Sequence, residues 1–259
     1  MVEMAEQSAV TRRLGSSVLL TNREVEYLED MQSHHIPVKA GNDFLREGDE
    51  FSTTFVMRSG WAIRYRLSES GKRQIISFVL PGDVMGLHVN YERRVAYSFA
   101  AVSDLELALI EPIRVIDLYR NHPVIASGLD WMTVTSFNIV AEHTVSLGVR
   151  PARQRILHLL LELYCRLMFV GEAREDGYDS PLTQVLIADT LGLTSVYVSK
   201  CLTRLRAEGL AELHAGTVRF PDIERTLKAA DFDPVFLEPF RTKACVPNAV
   251  REIAAAADE

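Results

Sequence analysis

The chain has 259 residues, 47% of them apolar and 24% charged, with 28 lysines and arginines against 35 aspartates and glutamates, a formal net charge of −7. That length and apolar content suffice for one large domain or two ordinary ones and exclude a disordered chain. The acidic balance argues against a protein that coats nucleic acid indiscriminately, while leaving room for a small basic face on an acidic body.

Residues 1–20 read as a flexible tail. Their early acids and lack of an apolar run give no secretory signal, and the densest apolar stretch, 156–163, is interrupted by His158 and Glu162, so no membrane span is expected. Three scattered cysteines, Cys165, Cys201 and Cys245, suit a reducing, cytoplasmic setting. Thr21 with Glu24 three residues on forms a capping-box pattern and predicts a short helix to about Met31. From His35 to about Glu111 the texture is β. Runs at 55–57, 62–67, 74–80 and 98–102 alternate with turns at Gly41-Asn42, Gly48-Asp49, Ser59-Gly60, Ser70-Gly71 and Pro81-Gly82-Asp83, a rhythm that predicts a sandwich or barrel.

Helical texture follows. Between residues 124 and 147 a stripe of Leu129, Met132, Ser136, Ile139, Val140, His143 and Leu147 predicts a long helix that buries this face, either on its own domain or against a second subunit. Arg150-Pro151 ends it. A second helix is predicted over 152–169, then a polar connector over 171–180.

Residues 182–205, LTQVLIADTLGLTSVYVSKCLTRL, are the most informative. A small Ala188 lets two helices approach. Gly192 allows a tight turn of positive φ. Thr194 suits an N-cap, Gly209 a helix stop, and β-branched Val198 packs back into the pair. These are the requirements of a helix-turn-helix. With Val198, Leu202 and Leu205 inward, Ser195, Val196, Ser199, Lys200 and Thr203 face outward, and 210–219 reads as a β-wing turning at Ala215-Gly216. Between Gly192 and Arg219 the net charge is +2, a face suited to phosphate. A plain helical hairpin with a solvated basic face has the same spacing.

The order of β-sandwich, long helix and winged helix, over residues 23–220, resembles the Crp/Fnr family of bacterial transcription regulators. The residues that carry the likeness are Thr183-Gln184, Ala188, Leu191-Gly192-Leu193-Thr194, Val198-Ser199-Lys200, Leu202-Thr203-Arg204-Leu205 and Glu208-Gly209-Leu210, with Gly48-Asp49, Gly60, Gly82-Asp83 and Gly86 in the sensor half. The resemblance implies an α+β fold. A jelly-roll sensor domain is expected over 21–122, a dimerisation helix over 123–149, a winged helix-turn-helix over 150–222 and a C-terminal extension over 223–259. It implies a homodimer, paired through the long-helix stripe named above, that binds double-stranded DNA at a palindromic operator, with RNA polymerase as a further partner. Base contacts fall on Ser195, Val196, Ser199 and Lys200. Backbone contacts fall on Arg155, Thr183, Gln184, Tyr197, Thr203 and Arg219; packing on the first helix is the other reading of Tyr197.

Departures from the family's pattern matter as much. Members usually carry glutamate where Val196 stands and arginine where Lys200 stands. Glutamate accepts from cytosine, whereas valine can only touch a thymine methyl; arginine is a planar fork for guanine, whereas lysine is a point donor. A different half-site is therefore expected. The cyclic-nucleotide cradle is missing: Gly86-Leu87-His88 lacks the glutamate, and no arginine precedes Ser98 in Tyr97-Ser98-Phe99-Ala100, which would leave a buried cyclic phosphate without an ionic partner. An Fnr-like iron–sulfur cluster needs about four cysteines, and none precedes Cys165. No cofactor, metal site or catalytic residue is expected. His34, His35 and His88 read as turn residues. Two alternatives stand beside the regulator: an effector-binding or interaction module without DNA binding, and a cupin-like metal enzyme. The adjacent His34 and His35 would point to opposite faces of a strand, which argues against the enzyme. Cys201 reads as a small buried hydrophobe or as a redox brake beside Lys200.

Overall fold

In the computed structural model, residues 7–87 and 94–237 are described. They begin with a helix where a tail was expected. Helix α1 (Ala9–Ser17) is N-capped by Ser8, and Glu29 of α2 (Asn22–Met31) accepts from the Ser8 backbone N–H at 2.9 Å and the Thr11 hydroxyl at 2.7 Å. Arg13 is buried because it forms an ion pair with Asp83. Val10 and Leu14 join the core cluster of Leu28, Val56, Ile110, Leu118, Ile125 and Leu129. Residues 8–20 are thus part of the sensor unit. Leu14→Ala should lower stability by about 2–5 kcal/mol, the range for truncating a buried leucine. Urea unfolding checks this; a change under about 0.5 kcal/mol, as at ordinary surface positions, would restore the tail reading.

The Thr21–Glu24 capping box forms at the start of α2, with the Thr21 backbone N–H donating to Glu24 Oε2 at 2.7 Å. Two antiparallel four-stranded sheets then follow. One is ordered β1 (His35–Val38), β8 (Leu105–Ile110), β3 (Thr54–Ser59), β6 (Val84–Met85); the other is β2 (Asp43–Leu45), β7 (Ser98–Ala101), β4 (Ala62–Leu67), β5 (Arg73–Val79). Gly60, at φ +81°, turns β3 into β4, and a Cβ there would stand 2.3 Å from the Asp104 carbonyl oxygen. Between the sheets lie Leu45, Phe55, Met57, Ala62, Phe99 and Leu107. Phe44, Phe51, Phe55 and Phe99 interlock with ring centroids 4.8–6.2 Å apart. His88 lies outside the described residues; Phe99, from the stretch that would carry the cradle, is one of these core rings. Helix α3 (Pro112–Asn121), which the sequence reading did not anticipate, leads into α4 (Pro123–Val149).

The chain forms two compact units: residues up to 134, apart from 73–75, belong to the first, and those from 135 on, with 73–75, belong to the second. Among the described residues α4 is long and apolar enough to cross a membrane by length and composition, a test that stretch 156–163 alone did not raise. It is a core helix by its packing: Ile125, Leu129, Met132 and Ile139 are buried in the protein.

The second unit is built on α5 (Ala152–Phe169), whose boundaries match the expectation. Tyr164, Tyr178 and Phe220 pack as an aromatic cluster, with the Tyr164 hydroxyl donating to the Glu175 carbonyl and the Tyr178 hydroxyl to that of Leu160. The expected polar connector is a hairpin, β9 (Ala173–Arg174) and β10 (Gly177–Asp179), which joins β12 (Thr217–Arg219) and β11 (Glu212–His214) in one sheet ordered β11-β12-β10-β9. Its buried Tyr178 explains why so polar a segment is ordered. The unit also runs past the boundary expected at 222. Helix α8 (Ile223–Ala230), capped by Asp222, and a 3-10 turn (Pro234–Leu237) both pack on α5. The tetra-alanine run at 254–257 lies outside the described residues.

Candidate nucleic-acid interface

Helix α6 (Gln184–Leu191) starts at Thr183, whose hydroxyl accepts from the Leu186 backbone N–H at 3.2 Å. It ends at Gly192, in the left-handed region at φ +63°. Helix α7 (Ser195–Ala207) starts at Thr194, which accepts from the Tyr197 N–H at 3.2 Å. The two helices are bent by 107° at this turn, within the helix-turn-helix range. Ala188, Val198, Leu202 and Leu205 are buried between the helices and the rest of the unit. Gly209, at φ +68°, follows α7. Ala215 and Gly216, both of positive φ, make the wing turn.

The outward residues fall as the spacing predicted, with a sharper ranking. Val196 is 65% exposed, and Tyr197, Lys200 and Thr203 are exposed, while Ser195 and Ser199 are half-buried. The stripe most open to a groove is therefore Val196, Lys200, Thr203 and Ala207, at spacings of four, three and four residues. Tyr197 does not pack away on the first helix; it is half exposed. Cys201 is half-buried on α7.

Charge is less generous than a count along the chain suggests. Arg204 pairs with Glu208 at 2.9 Å, Arg206 with Glu212 at 3.8 Å, and Arg219 with Asp176 at 2.6 Å. Hydrogen bonding to Arg204, with Arg153 adding, holds the Glu208 carboxyl below its ordinary value, and Arg219 does the same for Asp176. Asp176 lies in the hairpin, outside the segment counted. Among the described residues Lys200 alone of the four basic residues between Gly192 and Arg219 has no acidic partner within 4 Å. Exposed pairs of this kind contribute about 0–1 kcal/mol, so Arg204 and Arg219 can exchange their partners for phosphate at small cost.

Two expected backbone contacts need correcting. Arg155 donates from Nε to the Arg150 carbonyl at 2.7 Å and from Nη1 to that of Leu191 at 3.4 Å, so its guanidinium caps helix ends within the protein. Thr203 donates its one hydroxyl hydrogen to the Ser199 carbonyl at 3.0 Å and has none left for a phosphate oxygen. Thr183, by contrast, only accepts within α6, so its hydrogen is free to donate, and Gln184 beside it is exposed.

The long-helix stripe also needs correcting. Leu129 and Met132 are buried in the first unit's own core, and Ile139 is buried as well. Aspartate at Leu129 or Ile139 would unfold the protein rather than test an interface. His143 is bonded to Glu162 of α5, Val140 is half-buried, and Leu147 reaches toward the Gly192 turn. The exposed apolar face is a different one: Val134 at 52%, Phe137 at 73%, Ala141, Val145 and Gly148, spaced three, four, four and three residues apart. That spacing is a coiled-coil seam. Ser136 is exposed at its edge.

Comparison with known proteins agrees with this geometry. Residues 154–227 match the Crp-like helix-turn-helix domain and residues 35–122 the cyclic nucleotide-binding domain. The transcriptional activator protein FnrL of Cereibacter sphaeroides is 28% identical over 229 residues, covering 87% of this chain and 89% of that protein. The nitrogen fixation regulation protein FixK of Bradyrhizobium diazoefficiens is 28% identical over 210 residues, covering 81% and 84%. Among solved structures, FixK2 from Bradyrhizobium japonicum superposes with a TM-score of 0.65 at 24% identity, covering 75% of this chain and 95% of that one.

Proposed function

The chain belongs to the Crp/Fnr family of bacterial transcription regulators, and from that premise we propose that it acts in the cytoplasm as a homodimer whose two α7 helices read a palindromic operator. Half-sites one DNA turn apart, about 34–36 Å, follow from that docking. The observation that carries the reading is Lys200, the uncompensated cation in the middle of the exposed α7 stripe. With Val196 beside it, the half-site combines a thymine methyl with an acceptor such as guanine O6 or N7. Thr183, Gln184, Tyr197 and Arg219 set register on the phosphates, and Ser195 and Ser199 flank the reading stripe. RNA polymerase is the expected partner of the bound dimer. No catalytic role is proposed.

The sensor unit shares the fold of cyclic nucleotide-binding domains, but we propose a different effector or none. The cradle's glutamate and arginine are missing from the sequence, and four phenylalanines fill the space between the sheets.

Lys200→Ala should weaken binding to an operator selected from random DNA by roughly 1–3 kcal/mol, about 5–150-fold, at fixed salt, and relax preference at one base pair of each half-site. If cognate and random DNA lose affinity equally, Lys200 is a phosphate contact and the base-reading assignment fails.

A further inference from the structure

The first unit holds a cavity of about 30 Å³ that is separate from the phenylalanine core between the sheets. Val10 of α1, Leu28 of α2, Val56 of β3, Val84 of β6, Ile110 of β8 and Leu129 of α4 supply apolar wall. Its polar wall residues are Gln32 and Thr54. Gln32 is 2% exposed. Its Nε2 donates to Ser8 Oγ at 2.8 Å and to the Leu28 carbonyl at 2.9 Å, which fixes which end of the amide is nitrogen. Its Oε1 is buried and has no partner among the described residues. Thr54 donates its hydroxyl hydrogen to the Gly86 carbonyl at 3.0 Å, so it too can only accept.

These features select a ligand. The wall offers two acceptors and no cation, which disfavours any anion, cyclic phosphates included. It carries no carboxylate, which disfavours a protonated amine. A water needs roughly 10–15 Å³ of such volume and two to four polar partners, so the space takes about two water-sized groups while the polar wall suits one. A hydroxyl on a short alkyl chain meets both conditions.

We propose that this cavity binds a short aliphatic alcohol, its hydroxyl donating to Gln32 Oε1 and its alkyl group against the Val56 and Leu129 wall. The site joins α1 and α2 to the first turns of α4, so occupancy ties the N-terminal helices to the long helix within this unit. A ligand of about three heavy atoms binds no tighter than roughly millimolar, given the ceiling on affinity per atom.

The test is a titration of the full-length protein with ethanol, read from methyl resonances of Val10, Val56, Val84 and Leu129. Saturable shifts confined to these methyls, with a millimolar midpoint, are expected. Gln32→Leu, which keeps the size and removes the acceptor, should weaken ethanol at least fivefold and leave xenon binding in place. Val84→Ile, which fills space, should abolish both and decides the matter if Gln32→Leu fails to fold. Shifts that never saturate, ethanol binding indifferent to both substitutions, or a water bridging Gln32 and Thr54 that persists in an ethanol-soaked crystal would each overturn the proposal. None of these readouts involves DNA.

Discussion

Phe137→Asp is expected to turn the protein into a folded monomer and to lower operator affinity by about 10²–10⁴-fold, the gain that linking two half-site contacts supplies. Phe137 is the most exposed of the large apolar residues on α4 and sits in the middle of the Val134, Phe137, Ala141, Val145 and Gly148 face. A two-fold interface uses each residue twice. Two phenylalanines buried at about 1.5–3 kcal/mol each are lost, and two carboxylates would have to be desolvated in their place. Sedimentation equilibrium reads the oligomeric state and far-UV circular dichroism the fold. Because the Phe137 ring lies mostly outside the protein's own core, the monomer should keep its helical signal and its melting transition. A variant that still sediments as a dimer would refute this face as the seam. Leu129→Asp serves as the contrast, since it should destroy the fold of the first unit before any question of assembly arises.

That contrast shows where sequence reading reaches its limit. The helix-turn-helix was legible because its signals are local: a small residue at Ala188, a left-handed glycine at Gly192, a cap at Thr194 and a β-branched knob at Val198 fall within eleven residues and constrain one another. The capping box at Thr21 and the end of α4 before Pro151 were legible for the same reason. The seam on α4 was not. Apolar residues occur all round that helix, so the more apolar stripe looked like the interface, when it is the one the helix buries in its own chain. Helix α1 was hidden because the partners that order it are distant: Glu29 and Asp83 satisfy groups that in isolation read as a polar tail. The charge of the α7 face was overcounted because Asp176 and Glu208 neutralise arginines through pairings that only the hairpin and the end of α7 reveal. The overall charge of −7 acquires a sharper meaning as a result. With most arginines of the reading face already paired, an acidic dimer is repelled by non-cognate DNA at low salt, and Lys200 carries more of the specific contact than a +2 face would suggest.

The other large effect expected is at Glu162, which is 3% exposed on α5 and bridges two cations. Its Oε2 lies 2.5 Å from His143 Nε2 on α4, and its Oε1 accepts from Arg166 Nη1 at 2.9 Å. Burial by itself would push the carboxyl up, but His143 and Arg166 outweigh it and hold the group below its ordinary value. Burial pulls the Arg166 guanidinium down in turn, so its charge depends on this one carboxylate. Glu162→Gln should therefore destabilise the second unit by about 3–5 kcal/mol, the usual result of removing one partner from a buried pair, and loosen α4 from α5 with it. The pH dependence has a definite sign. A carboxyl depressed in the folded state contributes fully above its unfolded value, about 4.5, and the contribution is lost as pH falls through the lower folded value. His158 acts on the same side from a higher starting point. Burial first, then Arg150, lowers it from 6.5, so the neutral ring is favoured in the fold and stability declines as pH drops below about 6.5. The native protein should thus lose stability in two stages on acidification. Glu162→Gln should abolish the lower stage and keep the upper. Urea unfolding from pH 7.5 to pH 3.5, followed in both proteins, separates the stages; a variant within about 1 kcal/mol of the native protein at neutral pH would show that the bridge carries no more than an exposed pair.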